Sequence, residues 1–111
     1  MNEINARVLD VLSGILQERV TADPASSYTA SLFHKGLDTI LKKVGEESVE
    51  VILAAKGENS QELTHEVADL LYHVMVLLVA KGIPAEAVWH ELQRRFGTSG
   101  HEEKASRKTT A

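Results

Sequence analysis

Between Val44 and Tyr72 the chain carries two short acidic motifs, Glu46-Glu47-Ser48-Val49-Glu50 and Glu66-Val67-Ala68-Asp69, each embedded in a long apolar run. Gly57-Glu58-Asn59-Ser60 separates them and has the makeup of a helix-to-helix connection, a glycine to stop one helix and Asn or Ser to cap the next. At about 100° per residue, carboxylates three positions apart share one helix face. Two such helices folded back antiparallel bring Glu47, Glu50, Glu66 and Asp69 together. Four carboxylates in one place repel one another unless a cation neutralises them.

The flanking periodicity supports the helices. From Leu37 to Lys56, Ile40, Val44, Val51, Ala54 and Ala55 lie along one stripe, with Glu47 inside it and Glu50 and Lys43 on its edge. Asn59, three residues before Glu62, resembles a capping box. The helix it opens runs to about Lys81 and stops at Gly82. It is apolar on most sides, which predicts burial on more than one side and a second copy of the chain covering part of it. Glu66 falls among its apolar positions, and Asp69 and His73 share that face.

Outside this pair, Ile4, Val8, Leu12, Ile15 and Leu16 predict an amphipathic first helix closing at Glu18-Arg19. Thr21 to Ser27 reads as a linker, and Ser26 or Ser27 caps a short helix from Tyr28 to Phe33, before Gly36 bends the chain. Pro84 suits the first turn of a helix reaching about Phe96, with Val88, Trp89, Leu92 and Phe96 as its core stripe. Ser99 with Glu102 forms a second possible capping box, opening a short basic tail. No segment alternates at period two. The expectation is an all-α antiparallel bundle of four to five helices, one domain over residues 1–111 with a basic tail from about residue 98, assembled as a homodimer.

Composition narrows the chemistry. The chain has 111 residues, 16 acids against 12 bases and a net charge of -4, which gives no general reason to expect nucleic-acid or membrane binding. Cysteine is absent, so a metal site must use carboxylate or imidazole donors, a set suited to hard ions such as Mg²⁺ or Mn²⁺. The N-terminus lacks the basic-then-apolar layout of a signal peptide, and the apolar run from Leu70 to Ala80 is short for a bilayer. A soluble cytoplasmic protein is expected.

The acidic motifs admit two readings. One is a divalent-metal site between helices, built from Glu47, Glu50, Glu66 and Asp69. The other is surface acids paired with Lys42, Lys43 or Lys56. The interruption of apolar stripes by matched pairs favours the first, and the pattern alone leaves both open. Lys43, one turn before Glu47, and Lys35 are candidate phosphate ligands. His73 is either a partner of the acidic site or a satisfied core histidine. His34, His65, His90 and His101 show no ligand pairing at useful spacing.

Several segments together resemble the phosphoribosyl-ATP pyrophosphatase family: Ser27-Tyr28-Thr29-Ala30, Lys35-Gly36, Lys42-Lys43-Val44-Gly45-Glu46-Glu47, Ala68-Asp69-Leu70-Leu71-Tyr72-His73 and Ser99-Gly100 with Glu103-Lys104 and Arg107. The likeness runs from about Ser27 to Arg107, and the first helix adds nothing to it. The acidic pattern, Glu47-x-x-Glu50 followed by Glu66-x-x-Asp69, also fits the wider MazG-like nucleoside-triphosphate pyrophosphohydrolases. The resemblance implies Mg²⁺-dependent hydrolysis of the α–β phosphoanhydride of phosphoribosyl-ATP, a step of histidine biosynthesis. In that scheme Glu46 or Glu47 takes the proton of the attacking water, and Lys35, Lys43, Lys104 and Arg107 hold phosphates. A house-cleaning hydrolase of free nucleotides and a non-catalytic helical dimerisation module are the competing expectations.

Overall fold

A computed structural model describes residues 4–97 together with Gly100, His101 and Lys104. Five helices follow in order: α1 (Arg7–Arg19), α2 (Tyr28–Lys35), α3 (Leu37–Lys56), α4 (Ser60–Ala80) and α5 (Ala85–Arg94). Among the described residues there is no strand, and the all-α expectation holds.

The central pair forms as its residues predict. α3 ends at Gly57, and the Asn59 side chain opens α4 by accepting from the backbone N–H groups of Gln61 and Glu62, at 3.0 and 3.1 Å. Two donors that the first turn leaves without helical partners are thereby satisfied. The connection is so short that α3 and α4 fold back on each other, and theirs is the most extensive packing in the molecule. α1 packs on α4 and α2, and α2 packs on α3.

α2 and α3 are separated by one residue, Gly36, at φ 103°. A side chain there would be strained, so this sharp change of direction depends on glycine. At the other end of α2, the Ser27 hydroxyl accepts from the Ala30 N–H at 3.1 Å, fixing where Tyr28 and Thr29 enter the helix.

The core gathers Leu16 of α1, Leu32 of α2, Ile40 of α3, Met75 and Val76 of α4, and Ala85 of α5. Leu9, Leu12, Phe33, Tyr72 and Trp89 pack around it. The Trp89 indole N–H donates to Asp10 at 2.9 Å and ties α5 to α1.

Several expectations at the periphery are corrected. α1 starts at Arg7, later than Ile4, and the Asn5 side chain just before it accepts from the Arg7 N–H at 2.9 Å. α2 continues past Phe33 to Lys35. Pro84 stands just before α5, at ψ 142°, and is not within its first turn. α5 stops at Arg94, so Phe96 lies beyond the helix, 77% exposed, and Leu92 is also exposed. That end is organised by charge: Glu91 binds Arg94 at 2.7 Å and Arg95 at 3.3 Å, and these guanidinium groups pull its carboxyl down to about 2. Gly100, His101 and Lys104 are helical and exposed, whereas Ser99, Glu102, Glu103 and Arg107 of the tail lie outside the described residues.

By length and composition α4 could cross a membrane, since the helix is longer than its apolar run. Yet it carries Glu66, Asp69 and the buried His73, and it packs on α1 and α3. Those polar groups make it the central helix of a bundle.

Replacing Asn59 by Ala should lower stability by about 0.5–2 kcal/mol, the usual cost of a lost N-cap. Urea unfolding followed by circular dichroism measures it, with helix content at zero denaturant unchanged.

A candidate metal and phosphate site between α3 and α4

The acidic residues expected to converge are presented by two elements of opposite direction. Glu47 lies in the middle of α3 and is 8% exposed, a burial that places its carboxylate against α4. Glu66 and Asp69, half-buried, come from the first half of α4. Glu47, Glu66 and Asp69 each offer an oxygen within 4.8 Å of the other two. Glu50 is exposed and stands outside that tight group, yet it still acts on Glu66 electrostatically.

The electrostatics carry the mark of this crowding. Loss of hydration raises the Glu66 carboxyl above its ordinary value, and Glu47, Glu50 and Asp69 push it further, against a lowering influence from His65. The donors are all carboxylate oxygens, which is the chemistry that a hard divalent cation requires. The residues present therefore fit such an ion.

Lys43 borders the cluster, with its Nζ 3.6 Å from Glu47. Partial burial disfavours its charge, but the acidic groups of Tyr28, Glu46 and Glu47 outweigh that and raise the ammonium above its ordinary value. Glu46 is exposed on the same helix, beside Lys43. Lys35 is exposed in the last turn of α2, about two turns from Tyr28. Lys104 is exposed on the tail, and Arg107 lies outside the described residues.

His73 is 3% exposed and fully engaged. Its Nδ1 is 2.8 Å from the Asp69 backbone carbonyl, and its Nε2 is 2.9 Å from the Tyr28 hydroxyl. It is at once a core residue and a partner of the site, because Asp69 is one helical turn before it. The next pair along is Thr29 with Tyr72, whose hydroxyls are hydrogen-bonded.

Two site residues escaped the sequence reading. His65 lies 4.0 Å from Asp69 across one turn of α4, and the i, i+4 spacing of 65 and 69 was the signal for it. Tyr28 reaches the site from a different helix. Burial raises its phenol, Lys43 partly offsets this, and Glu47 and Asp69 add to the rise. No local spacing could have shown that approach.

The patterns Glu47-x-x-Glu50 and Glu66-x-x-Asp69 thus fall on an antiparallel helix pair bordered by Lys43. The family described as phosphoribosyl-ATP pyrophosphohydrolase matches residues 9–96. A protein of Trichlorobacter lovleyi named phosphoribosyl-ATP pyrophosphatase is 62% identical over 104 residues, covering 94% of this chain and 96% of its own. Proteins of the same name from Geobacter sulfurreducens and Pelobacter propionicus are 57% and 49% identical over 100 and 109 residues. They cover 90% and 98% of this chain, and 93% and 100% of their own lengths. The chain belongs to the phosphoribosyl-ATP pyrophosphohydrolase family, and it is a hydrolase. The match takes in most of α1, which the sequence reading had treated as generic, and it ends before the tail.

The raised carboxyl of Glu66 has a definite consequence for pH. The folded chain prefers Glu66 protonated, so this contribution to stability is full below the unfolded value near 4.5 and is lost as pH rises through the folded value. Glu66→Gln should therefore stabilise the metal-free protein at neutral pH, and the gain should vanish in acid. Thermal unfolding in EDTA across pH 4 to 8 measures it (roughly the carboxylate-to-neutral range).

Proposed function

We propose that Glu47, Glu50, Glu66 and Asp69 form the divalent-metal site at which this chain hydrolyses the α–β phosphoanhydride of 1-(5-phospho-β-D-ribosyl)-ATP, giving phosphoribosyl-AMP and pyrophosphate. That reaction is the second step of histidine biosynthesis. The observation that carries the residue assignment is the convergence of Glu47, Glu66 and Asp69 from two helices in a member of this family.

Mg²⁺ is the cation inferred, with Mn²⁺ as an alternative, and when bound it would supply the positive charge that offsets the triphosphate and lowers the pKa of water. The chain's own groups divide the remaining work. The carboxylates would hold the ion and, with it bound, would suffer less mutual repulsion. Glu46 or Glu47 accepts the proton of the attacking water as its oxygen bonds to the α-phosphorus and the pyrophosphate oxygen departs. Glu46, exposed and beside Lys43, is free to meet bulk water, whereas Glu47 is buried in the cluster. Lys43 meets a phosphate, since its charge is favoured and it is only partly enclosed. Lys35, Lys104 and Arg107 complete the phosphate-binding set in this reading.

The working unit is a homodimer of the single domain, in the cytoplasm where nucleotides and Mg²⁺ are abundant. Support for the dimer comes from apolar surface a lone copy leaves exposed. Leu41, Val49, Ile52 and Leu53 run along one face of α3, all exposed. A cleft between α1 and α4 is lined by Val8, Val11, Ile15, Ala68 and Leu71. Apolar surface of this extent on α3 and between α1 and α4 is costly to leave in water.

Phosphoribosyl-ATP incubated with Mg²⁺ should release pyrophosphate, and EDTA should stop it. ATP and dCTP should turn over much more slowly, and a preference for either would favour the house-cleaning reading. Glu47→Gln and Asp69→Asn should each lower kcat by about a hundredfold or more, whereas unchanged activity or Mg²⁺ response would favour the non-catalytic module. Light scattering at micromolar concentration should give twice the chain mass, falling toward the monomer in Leu71→Asp.

A further inference from the structure

Helix α2 is linked to α4 by two adjacent side-chain pairs, Thr29 with Tyr72 and Tyr28 with His73. They lead to different places. The first ends between the helices. The second continues, because His73 Nδ1 is also bonded to the backbone carbonyl of Asp69.

The direction of this relay follows from its acceptor. A carbonyl oxygen only accepts, so Nδ1 carries the hydrogen. In the neutral ring Nε2 is then the acceptor, and the Tyr28 hydroxyl donates to it. Tyr28 is nevertheless 55% exposed. Its hydroxyl is committed to His73 and within electrostatic reach of Lys43, Glu47 and Asp69, so the half-exposed side chain stands beside the acidic cluster. His73 cannot turn to release it, being buried and crossed edge-on by the rings of Tyr28 and Tyr72, at 6.0 and 5.6 Å between centroids.

We propose that Tyr28 is a nucleotide-contacting residue and that His73 is a positioning residue, which aims the Tyr28 ring by anchoring its hydroxyl to the backbone of Asp69. The inference rests on the acidic cluster being the site of hydrolysis. Its ligand is the apolar, flat part of a nucleotide whose phosphates lie at Lys43. A planar ring held at one end loses little freedom on binding, so fixing Tyr28 in advance favours substrate capture over the chemical step.

The relay itself is tested without substrate. Nitrogen-15 NMR of His73 should show hydrogen on Nδ1, and Tyr28→Phe should shift the Nε2 resonance while leaving that tautomer in place. Hydrogen on Nε2, or an Nε2 signal indifferent to Tyr28→Phe, overturns the proposal. Its consequence is read with phosphoribosyl-ATP and Mg²⁺. Tyr28→Phe and His73→Asn, which keeps a donor for the Asp69 carbonyl but cannot reach Tyr28, should each raise KM by about fivefold, the worth of one hydrogen bond, with little change in kcat. The double variant should be no worse than either single one, and Tyr28→Ala should raise KM further. Tyr72→Phe breaks the neighbouring tie and should lower the melting temperature without the KM effect. Equal KM changes in Tyr28→Phe and Tyr72→Phe, or a melting-temperature loss with KM unchanged in Tyr28→Phe, would reduce the relay to a structural link. Failure of the hydrolysis reading is distinguishable, since it appears as an inactive wild-type protein whatever the His73 tautomer.

Discussion

Everything in this fold is arranged around a repulsion. Glu47, Glu66 and Asp69 are held with oxygens within 4.8 Å of one another by the antiparallel packing of α3 on α4. Like charges that close disfavour their common ionised state, which adds to the loss of hydration that raises the Glu66 carboxyl above its ordinary value. The chain accepts this cost locally because apolar burial elsewhere on the same helices offsets it. Ile40 and Ala54 lie to either side of Glu47 on α3, Met75 and Val76 follow the acids on α4, and all four are buried. The acidic patch is thus clamped by its flanks.

The neighbours of that patch sort by what they touch. Lys43 faces Glu47 and, through its raised ammonium, stays charged next to both acids and Tyr28. His65 flanks Asp69 from the outside, where an exposed imidazole adds little. His73 supports Asp69 from within through its backbone. That bond does not use the Asp69 carboxylate, which His65 faces. The short α2, set by the Ser27 cap and the turn at Gly36, brings Tyr28 of its first turn within electrostatic reach of the acids.

Much of this was legible in the residues because it depends on local periodicity. Helical spacing put Glu47 in an apolar stripe, and it is buried there; Asn59 and Gly57 marked the turn that reverses the chain. The motif flanks resembled the family that the comparisons establish. Besides the helix ends, what the structure corrects is the equation of an apolar residue's spacing with burial. Phe96 continues the stripe of α5 by number, but the helix ends two residues earlier, where Arg94 and Arg95 turn to Glu91. Ala55 is likewise exposed although it shares the α3 stripe.

By itself the sequence determined the helical elements, the reversal between α3 and α4 and the carboxylate pairs, because each follows from interactions within a few residues. Glu47-x-x-Glu50 and Glu66-x-x-Asp69 left two readings open, a shared oxygen-donor site or surface acids paired with lysines. Only the tertiary structure decided that Glu47, Glu66 and Asp69 form its close group while Glu50 stands at its rim, since that depends on how two helices roll against each other. It also decided that Tyr28 reaches His73 across 45 positions of chain. Contacts of that separation are set by packing of whole helices, and no periodicity within one helix encodes them.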